Sequence, residues 1–419
     1  MLNDMPIKIS TQLLNAALRF ILIFSLFATP LEVIAAPVSI MTFNVENLFD
    51  TTHDPGKNDE TYLPASQKTG SAHVDKCTEI SVRRWREQCL YWDWNEAVVD
   101  RKLDAVAKTI KQVNDGQGPD IIALQEVENA GILERLRLDY LKGLGYQPAV
   151  LLEGKDKRGI DVAFLSKFPA TDATLHPITF PTALKARAGD TRPILEATFQ
   201  LPSGLSLTGF SVHFPAPYHP TEMREVAYTR LNALVASLPK DRAFFAAGDF
   251  NTTREEDTKK NMLTRWVRPT WQLAHDLCEA CPGTSYYPPK DDWSFLDMVL
   301  WGKASGWTVT RSFLANRSSE QMTRKGTPKR FQLPEGSGVS DHWPLVMVVD
   351  TPQRTHSARD GRCVVDWKRQ APKPRGCALK WSLSQTVQDL CVHFNGTKKI
   401  SKSQILVAPV LIIIVICYG

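Results

Sequence analysis

Two short motifs carry the side chains best suited to chemistry in this 419-residue chain. They are Gly248-Asp249-Phe250-Asn251 and Ser340-Asp341-His342-Trp343-Pro344. An apolar run, 243–247, precedes the first motif, and another, 345–349, follows the second. The pattern therefore predicts carboxylate, amide and imidazole groups at strand ends, which is where α/β sheets build their sites.

These side chains are the kinds needed to cleave a phosphate ester. That reaction requires a cation to neutralise the phosphoryl oxygens, a base to activate water, and donors for the developing charge. A hard cation such as Mg²⁺ or Mn²⁺ prefers carboxylate and amide oxygens and keeps several waters. We therefore expect further acidic residues at other strand ends.

The sequence contains such residues. Asn44 and Glu46 follow an apolar run, and strand alternation predicts that they share one face. Glu126 ends a second predicted strand, and His213 ends a third. Asp297 lies within an otherwise apolar segment, where an unpaired carboxylate would be costly.

In this order, the motifs resemble the endonuclease/exonuclease/phosphatase superfamily, which includes DNase I, exonuclease III-type repair nucleases, inositol polyphosphate 5-phosphatases and bacterial sphingomyelinases. The resemblance spans roughly residues 38–350 and implies an α/β fold, the DNase I-like four-layer sandwich of two packed β-sheets flanked by helices. The segment 43–50 looks most like the bacterial extracellular nuclease branch.

The resemblance implies a metal site for Mg²⁺ or Mn²⁺. Glu126 would be the principal ligand, and Asn44, Glu46 and Asp341 would complete the shell directly or through water.

The resemblance also implies catalytic roles. Asp249 would position or deprotonate the attacking water, and Asn251 would hold that water and a phosphate oxygen. His342, paired with a neighbouring carboxylate, would contact the scissile phosphate. His213 is expected to pair with Asp297 and to serve the leaving group.

Single residues also have structural interpretations. Gly-Asp-x-Asn alone is commonly a turn with an Asx hydrogen bond. Arg158 and Arg192 fit phosphate contacts and ordinary surface charges equally well. It is the joint, ordered set that favours a catalytic site.

Helices and strands alternate along the predicted catalytic domain, 37–350. Residues 96–114 place Val99, Leu103, Val106 and Ile110 on one helical face. Further helices are expected at 131–144 and 221–238. Strands are expected near 38–44, 120–125, 148–153, 160–165, 193–200, 205–212, 243–249, 296–301 and 344–349.

The N-terminus has the layout of a secretory signal peptide, residues 1–36. Basic residues precede an apolar stretch at 20–28, and small residues suit cleavage near Ala35 or Ala36. The pattern predicts an exported, periplasmic or extracellular protein, with an uncleaved membrane anchor as the alternative.

Export makes disulfides admissible. Cys77 and Cys89 bracket a helix-like segment of a long insertion, and we expect them to pin a surface loop. Cys278 and Cys281 could form a local disulfide. The alternatives are redox chemistry or a zinc site, and zinc would need two more ligands that no nearby CxxC supplies.

The insertion, residues 51–95, follows directly from the proposed metal strand. It combines aromatic and Arg side chains that could stack on bases or bind a phosphate chain, or it could form a self-packed lobe. These side chains are Arg83, Arg84, Trp85, Arg86, Tyr91, Trp92 and Trp94.

The chain changes character after Asp350. A basic linker, 351–404, holds eleven Lys or Arg against three Asp or Glu, so the rest of the chain is slightly acidic although the whole carries +5. Residues 405–419 form an apolar tail that is short for a membrane span. A membrane contact, a cleaved anchor signal and a tail without catalytic function remain open.

The sequence predicts a secreted, divalent-metal-dependent phosphodiesterase, with an endonuclease acting on DNA or RNA as the favoured interpretation. The alternative is a phosphatase or sphingomyelinase-like lipid phosphodiesterase acting on a phospholipid or small phosphoester. The slightly acidic domain favours this alternative because polyanion binding normally uses clustered Lys and Arg. A non-enzymatic interaction module is disfavoured because every expected catalytic position is filled, and no protein partner is inferred.

Overall fold

The computed structural model describes residues 36–303 and 307–352. The linker and tail predictions, and nearly all of the signal-peptide prediction, concern residues outside this part of the chain. Within it, no helix combines the length and apolar character needed to cross a membrane.

The first sheet has six strands and carries both ends of the predicted domain. Its strands are β1 Val38–Leu48, β2 Ile121–Val127, β3 Val150–Leu151, β4 Asp161–Ser166, β13 Thr308–Leu314 and β14 Leu345–Asp350. The order is β13-β14-β1-β2-β4-β3. Strands β1 and β2 run parallel, and the other neighbours in this sheet are antiparallel.

The second sheet repeats this plan of six strands around one parallel pair. Its strands are β5 Ala170–His176, β6 Ile194–Gln200, β7 Ser206–His213, β8 Ala243–Asp249, β9 Trp271–Leu273 and β12 Asp297–Gly302. Their order is β5-β6-β7-β8-β12-β9, and β7 and β8 form the parallel pair. A separate hairpin joins β10 Ser285–Tyr287 to β11 Asp292–Ser294.

The described residues also form seven α-helices, of which the two longest pack on the outer faces of the first and second sheets. They are α1 Ser71–Thr78, α2 Arg83–Tyr91, α3 Glu96–Ile110, α4 Ala130–Arg135, α5 Thr221–Ala236, α6 Arg254–Lys260 and α7 Met262–Trp266. The longest are α3 and α5, and Asn95 caps α3 by accepting a hydrogen bond from the Val98 amide. A π-helical turn, Leu136–Tyr140, continues α4.

Three apolar clusters hold the layers together. Neighbours on β1 point opposite ways, since Ile40 joins the cluster between the sheets and Met41 the cluster beneath α3. A third cluster packs α5 on the second sheet, with Phe210 and Leu231 among its members. The result is the helix, sheet, sheet, helix sandwich that the sequence predicts.

Short or exposed elements were missed. Strand β5 is largely exposed and lacks an apolar alternation, and β9 to β11 have only three residues each. The predicted strand at 148–153 shrinks to two residues, and the helix at 96–114 ends at Ile110. Strand β5 has a weak hydrophobic pattern, whereas β3 is short although its segment, 149–152, is continuously apolar.

The insertion contains two helices, α1 and α2, rather than one. Cys77 and Cys89 form a disulfide between them, and Cys278 forms a second disulfide with Cys281. Trp94 is buried in the main core, and the side chains of Trp85 and Tyr91 are exposed. The aromatic residues of the insertion therefore divide between core packing and an open surface.

Candidate active site

The parallel strand pairs bring the predicted site residues to one edge of the sandwich. In the first sheet Asn44 pairs in register with Gln125, and in the second His213 pairs with Asp249. The Asn44 side-chain amide donates to Asp249 Oδ2 at 3.2 Å, so the two sheets contact each other at this edge. The carboxyl ends of four strands thus converge, as expected for an α/β site.

Four residues at this edge have left-handed backbone conformations, which residues other than glycine rarely adopt. The φ angles are 52° at Glu46, 60° at Asn47, 64° at Glu126 and 52° at Asn251. Each costs about 1 to 3 kcal/mol, and such strain concentrates at functional sites. It also ends the alternation of β1, so the expected common face for Asn44 and Glu46 does not follow from a regular strand.

Asp249 is held rigidly at the centre of the site. Its Oδ1 accepts from the Asn251 backbone amide at 2.9 Å, and His213 Nε2 lies 3.5 Å from its Oδ2. Burial, and then the nearby Asp297 carboxylate, raise the pKa of Asp249 to about 7. A base with a pKa near neutrality is well matched to removing a proton from water.

His342 pairs with Asp297, and this corrects one prediction. His342 Nδ1 lies 2.6 Å from Asp297 Oδ2, so Asp297 serves His342 rather than His213. The short β11 and the start of β12 bring Asp297 beside Asp249, its register partner. Burial lowers the pKa of His342, but Asp297 and then Asp341 outweigh it and raise that pKa well above its ordinary value.

His213 is a buried neutral histidine. Burial, and then the charges of Arg192 and Arg158, hold its pKa well below the ordinary value. Its Nδ1 has no hydrogen-bond partner among the described residues. The two site histidines therefore differ, since His342 carries a proton where His213 does not.

Three carboxylates predicted as metal ligands form a second cluster beside Asp249. Burial, and then Asp341, raise the pKa of Glu46 to about 8, so these acids crowd one another. The backbone amide of Asn47 donates to Glu126 Oε2 at 3.0 Å. The Arg330 guanidinium contacts both Glu46, at 3.0 Å, and Asp341. The oxygen donors suit a hard divalent cation in kind.

The spacing of these ligands departs from expectation. Among the described residues, Asp249, Asp297 and His342 form a compact group whose possible ligand atoms all lie within 4.8 Å of one another. The trio Glu46, Glu126 and Asp341 forms no such compact group. Because His342 Nδ1 is already hydrogen-bonded to Asp297, we interpret the compact group as acid–base machinery. The carboxylate trio is the better candidate for a hard-cation site, because all its ligand atoms are oxygens. Arg330 lies against this trio.

The two predicted phosphate contacts differ in exposure. The Arg158 side chain is 41% exposed and lies 3.7 Å from Glu126, so it can reach a substrate at the rim. Arg192 is buried, pairs with Asp156 at 3.3 Å and donates to the Asp190 carbonyl. The expectation for Arg192 therefore changes, because its donors hold neighbouring loops together.

Sequence reasoning missed Arg330 and Lys102. Lys102 is fully buried on the apolar side of α3, and burial lowers its pKa to about 8. A Lys placed between Val99 and Leu103 on the predicted buried face was an available signal. Arg330 lies in an irregular segment, and no pattern connected it to the site.

Taken together, the fold and the site define a metal-dependent phosphoester hydrolase of the α/β sandwich type. The model of the endonuclease/exonuclease/phosphatase family matches residues 41–365, and this chain belongs to that family. Its members are divalent-metal-dependent phosphoesterases and nucleases. A comparison with curated proteins gives no match.

Solved structures with a similar chain course include members of the same family. A family member from Bacteroides vulgatus is 16% identical, with a TM-score of 0.46 over 75% of this chain and 99% of that one. Truncated Caenorhabditis elegans TDP2 is 15% identical, with a TM-score of 0.44 over 75% and 98%. A mannosyl-6-phosphatase from Bacteroides thetaiotaomicron is 14% identical, with a TM-score of 0.45 over 74% and 99%.

Proposed function

We propose that this protein is an exported endonuclease that hydrolyses phosphodiester bonds of DNA or RNA. The observation that carries the proposal is the aromatic and basic surface of the 51–95 insertion beside the phosphoesterase site. Trp85 is 52% exposed and Tyr91 is 76% exposed, and Arg83 and Arg84 neighbour them on α2. Exposed rings and guanidinium groups are the features that bind single-stranded nucleic acid by stacking and charge.

The insertion borders the catalytic edge, and two of its contacts show how closely. Tyr62 stacks on Phe49 at a ring separation of 4.0 Å, just beyond the end of β1. The Asn58 amide donates to the Lys157 carbonyl at 2.7 Å, which joins the insertion to the loop of Arg158. These contacts place residues 58–62 of the insertion at the rim of the site, and we propose that a strand bound on α2 extends to that rim.

The residues at the centre take the following roles in the proposed mechanism. Asp249 accepts the proton of the attacking water, and Asn251 orients that water. His342, protonated and held by Asp297, donates to the phosphoryl oxygens, where negative charge develops. His213 is neutral and lies 3.5 Å from Asp249, so it supports the base on the side of the attacking water, and the leaving group departs on the opposite side of the phosphorus.

The proposed metal ligands are Glu126, Glu46, Asp341 and Asn44, and the proposed ion is Mg²⁺ or Mn²⁺. When bound there, the ion would neutralise phosphoryl oxygens. The chain's own side chains orient the water, remove its proton and donate hydrogen bonds to the phosphoryl oxygens.

Cleavage assays on different substrates test the proposal. The purified protein should nick supercoiled plasmid or cut RNA with Mg²⁺ or Mn²⁺, and a chelator should abolish this. Turnover of sphingomyelin vesicles or a sugar phosphate, without any nucleic-acid cleavage, would contradict the nuclease proposal and favour the alternative.

Removing the exposed rings tests the role of the insertion. Trp85→Ala combined with Tyr91→Ala should weaken binding of single-stranded oligonucleotides at least about 30-fold, because each of the two stacked bases contributes about 1 to 3 kcal/mol. Leu138→Ala is the matched control, since Leu138 is equally exposed, at 52%, on another surface. Equal binding by both proteins would show that the rings hold no nucleic acid.

Export is the remaining part of the proposal. It is supported by the N-terminal pattern and by two disulfides, which persist in oxidising compartments. Amino-terminal sequencing of the mature protein should begin near residue 37. An uncleaved protein retained in the cytoplasm would contradict it.

A further inference from the structure

The segment before β14 places an arginine directly on the proposed metal ligands. Arg330 Nη1 lies 3.0 Å from Glu46 Oε1, and its Nη2 donates to Asp341 Oδ2. The next residue, Phe331, donates its backbone amide to Glu46 Oε2 at 3.2 Å. One short segment therefore satisfies both oxygens of the Glu46 carboxylate and bridges it to Asp341.

This segment is fixed from behind by a buried lysine. Lys102 Nζ donates to the Val339 carbonyl at 2.7 Å and lies 5.0 Å from the centre of the Phe331 ring. Lys102 comes from α3, so the anchor joins the outer helix layer to the site. Arg330 consequently contacts the carboxylates from a backbone held in place, although its side chain is 39% exposed.

Arg330 occupies carboxylate oxygens of Glu46 and Asp341 that a bound cation would need. A guanidinium that uses carboxylate oxygens as acceptors competes with a cation that needs the same oxygens as ligands. The two positive charges would also repel each other. A divalent ion can gather Glu46 and Asp341 only after the guanidinium has left them.

We propose that Arg330 is a displaceable counter-ion for the metal centre and that, once displaced, it binds a phosphate oxygen of the substrate. Without metal it neutralises Glu46 and Asp341, and metal binding releases it. A released guanidinium at the rim offers a planar fork of donors that matches phosphate geometry. This inference rests on the metal ligands proposed above.

Calorimetric titration with Mg²⁺ and Mn²⁺ tests the competition without any turnover. Arg330→Gln should bind the ion at least about tenfold more tightly than the wild type, because it removes an internal competitor. Arg324→Gln is the matched control, since Arg324 is an exposed arginine nearby in the same segment. Equal or weaker metal binding by Arg330→Gln would overturn the inference.

A ligand variant separates failure of the inference from failure of the metal site. Glu126→Gln should abolish the titration signal, and if it leaves metal binding intact the proposed ligand set itself is wrong. Arg330→Lys keeps the charge but not the fork, so its metal affinity should stay within about threefold of the wild type. If the Gln variant folds poorly, Arg330→Met also removes the charge and should show the same gain in metal affinity.

The substrate contact is tested with metal at saturation, where Arg330→Gln should raise KM for a phosphodiester substrate about tenfold. The counter-ion role is tested separately in chelator, where Arg330→Gln should melt at a lower temperature than the wild type. Tighter metal binding with an unchanged KM would overturn the substrate contact.

Discussion

Two buried acid–base groups of opposite character define the site at the scale of single residues. Asp249 is a base with its pKa raised to about 7, and His342 is a protonated imidazole held by Asp297 at 2.6 Å. Pairs of groups with diverging pKa values are typical of acid–base catalysis. The sequence placed both residues in the site, but it assigned Asp297 to the wrong histidine.

Asp249→Asn or His342→Gln should lower turnover of a phosphodiester by at least about 10², the usual contribution of a positioned acid or base. Asp241→Asn, on the surface before β8, is the control. Asp249→Asn should leave stability nearly unchanged, because it keeps the shape and removes one of the crowded carboxylates. His342→Gln should lower it, because it removes the cation that pairs with the buried Asp297. Wild-type rates in either folded variant would remove that residue from the mechanism.

The buried Asp161 predicts a pH dependence of stability. Its side chain is 1% exposed, and burial and then Glu153 raise its pKa from 3.8 to about 7. A raised folded-state pKa costs nothing while the carboxyl is neutral in both states, and the penalty grows as pH rises towards 7.

Asp161→Asn should therefore raise the free energy of unfolding by about 2 to 4 kcal/mol at pH 8 and have little effect at pH 3.5. The asparagine oxygen can still accept from the Gly154 amide, which donates to Asp161 at 2.9 Å. Urea unfolding at both pH values measures this. A difference that is the same at both would contradict the assignment.

At the scale of elements, the parallel pair β7 and β8 depends on a glycine beside the catalytic base. A Cβ at Gly248 would lie 2.0 Å from the Val212 carbonyl oxygen of the neighbouring strand. The close approach of two backbones, rather than a turn, explains the glycine of the Gly-Asp-x-Asn motif.

Gly248→Ala should cost about 1 to 3 kcal/mol, the usual penalty of overpacking, and should also lower turnover because Asp249 moves with the strand. Gly70→Ala is the control, since Gly70 has a φ of −93° and a methyl group added there would meet no atom within 4 Å. Thermal melts and turnover assays compare the two variants. Equal melting temperatures and equal turnover would show that the backbone relaxes around the added methyl group.

The Cys77–Cys89 disulfide closes a longer loop than Cys278–Cys281, with sequence separations of 12 and 3. Disulfide stabilisation grows with loop length and reaches about 3 kcal/mol near 15 residues. Replacing Cys77 and Cys89 with serine should loosen the insertion and expose it to protease while turnover of a small diester survives. Replacing the second pair should do less, and lost small-diester turnover in a folded Cys77/Cys89 variant would place the insertion in the catalytic machinery.

At the scale of the whole molecule, the sandwich follows from long buried strands whose apolar pattern is unambiguous. Strands such as β1, β2 and β8 could be predicted from sequence because they are buried on both faces. β5 could not, since it is an exposed edge strand. The contacts of Asp297 and Arg330 were hidden for another reason, because sequence order does not reveal which neighbours two sheets bring together.

The central claim is that a metal-dependent phosphoester site is built from these strand ends. The most direct test is hydrolysis of bis(p-nitrophenyl) phosphate by the wild type, Asp249→Asn and Glu126→Gln, with Mn²⁺ or Mg²⁺ and with chelator. We predict metal-dependent turnover by the wild type, at least about 10² lower in both variants and absent in chelator. Undiminished hydrolysis in chelator, or in either variant, would contradict the account.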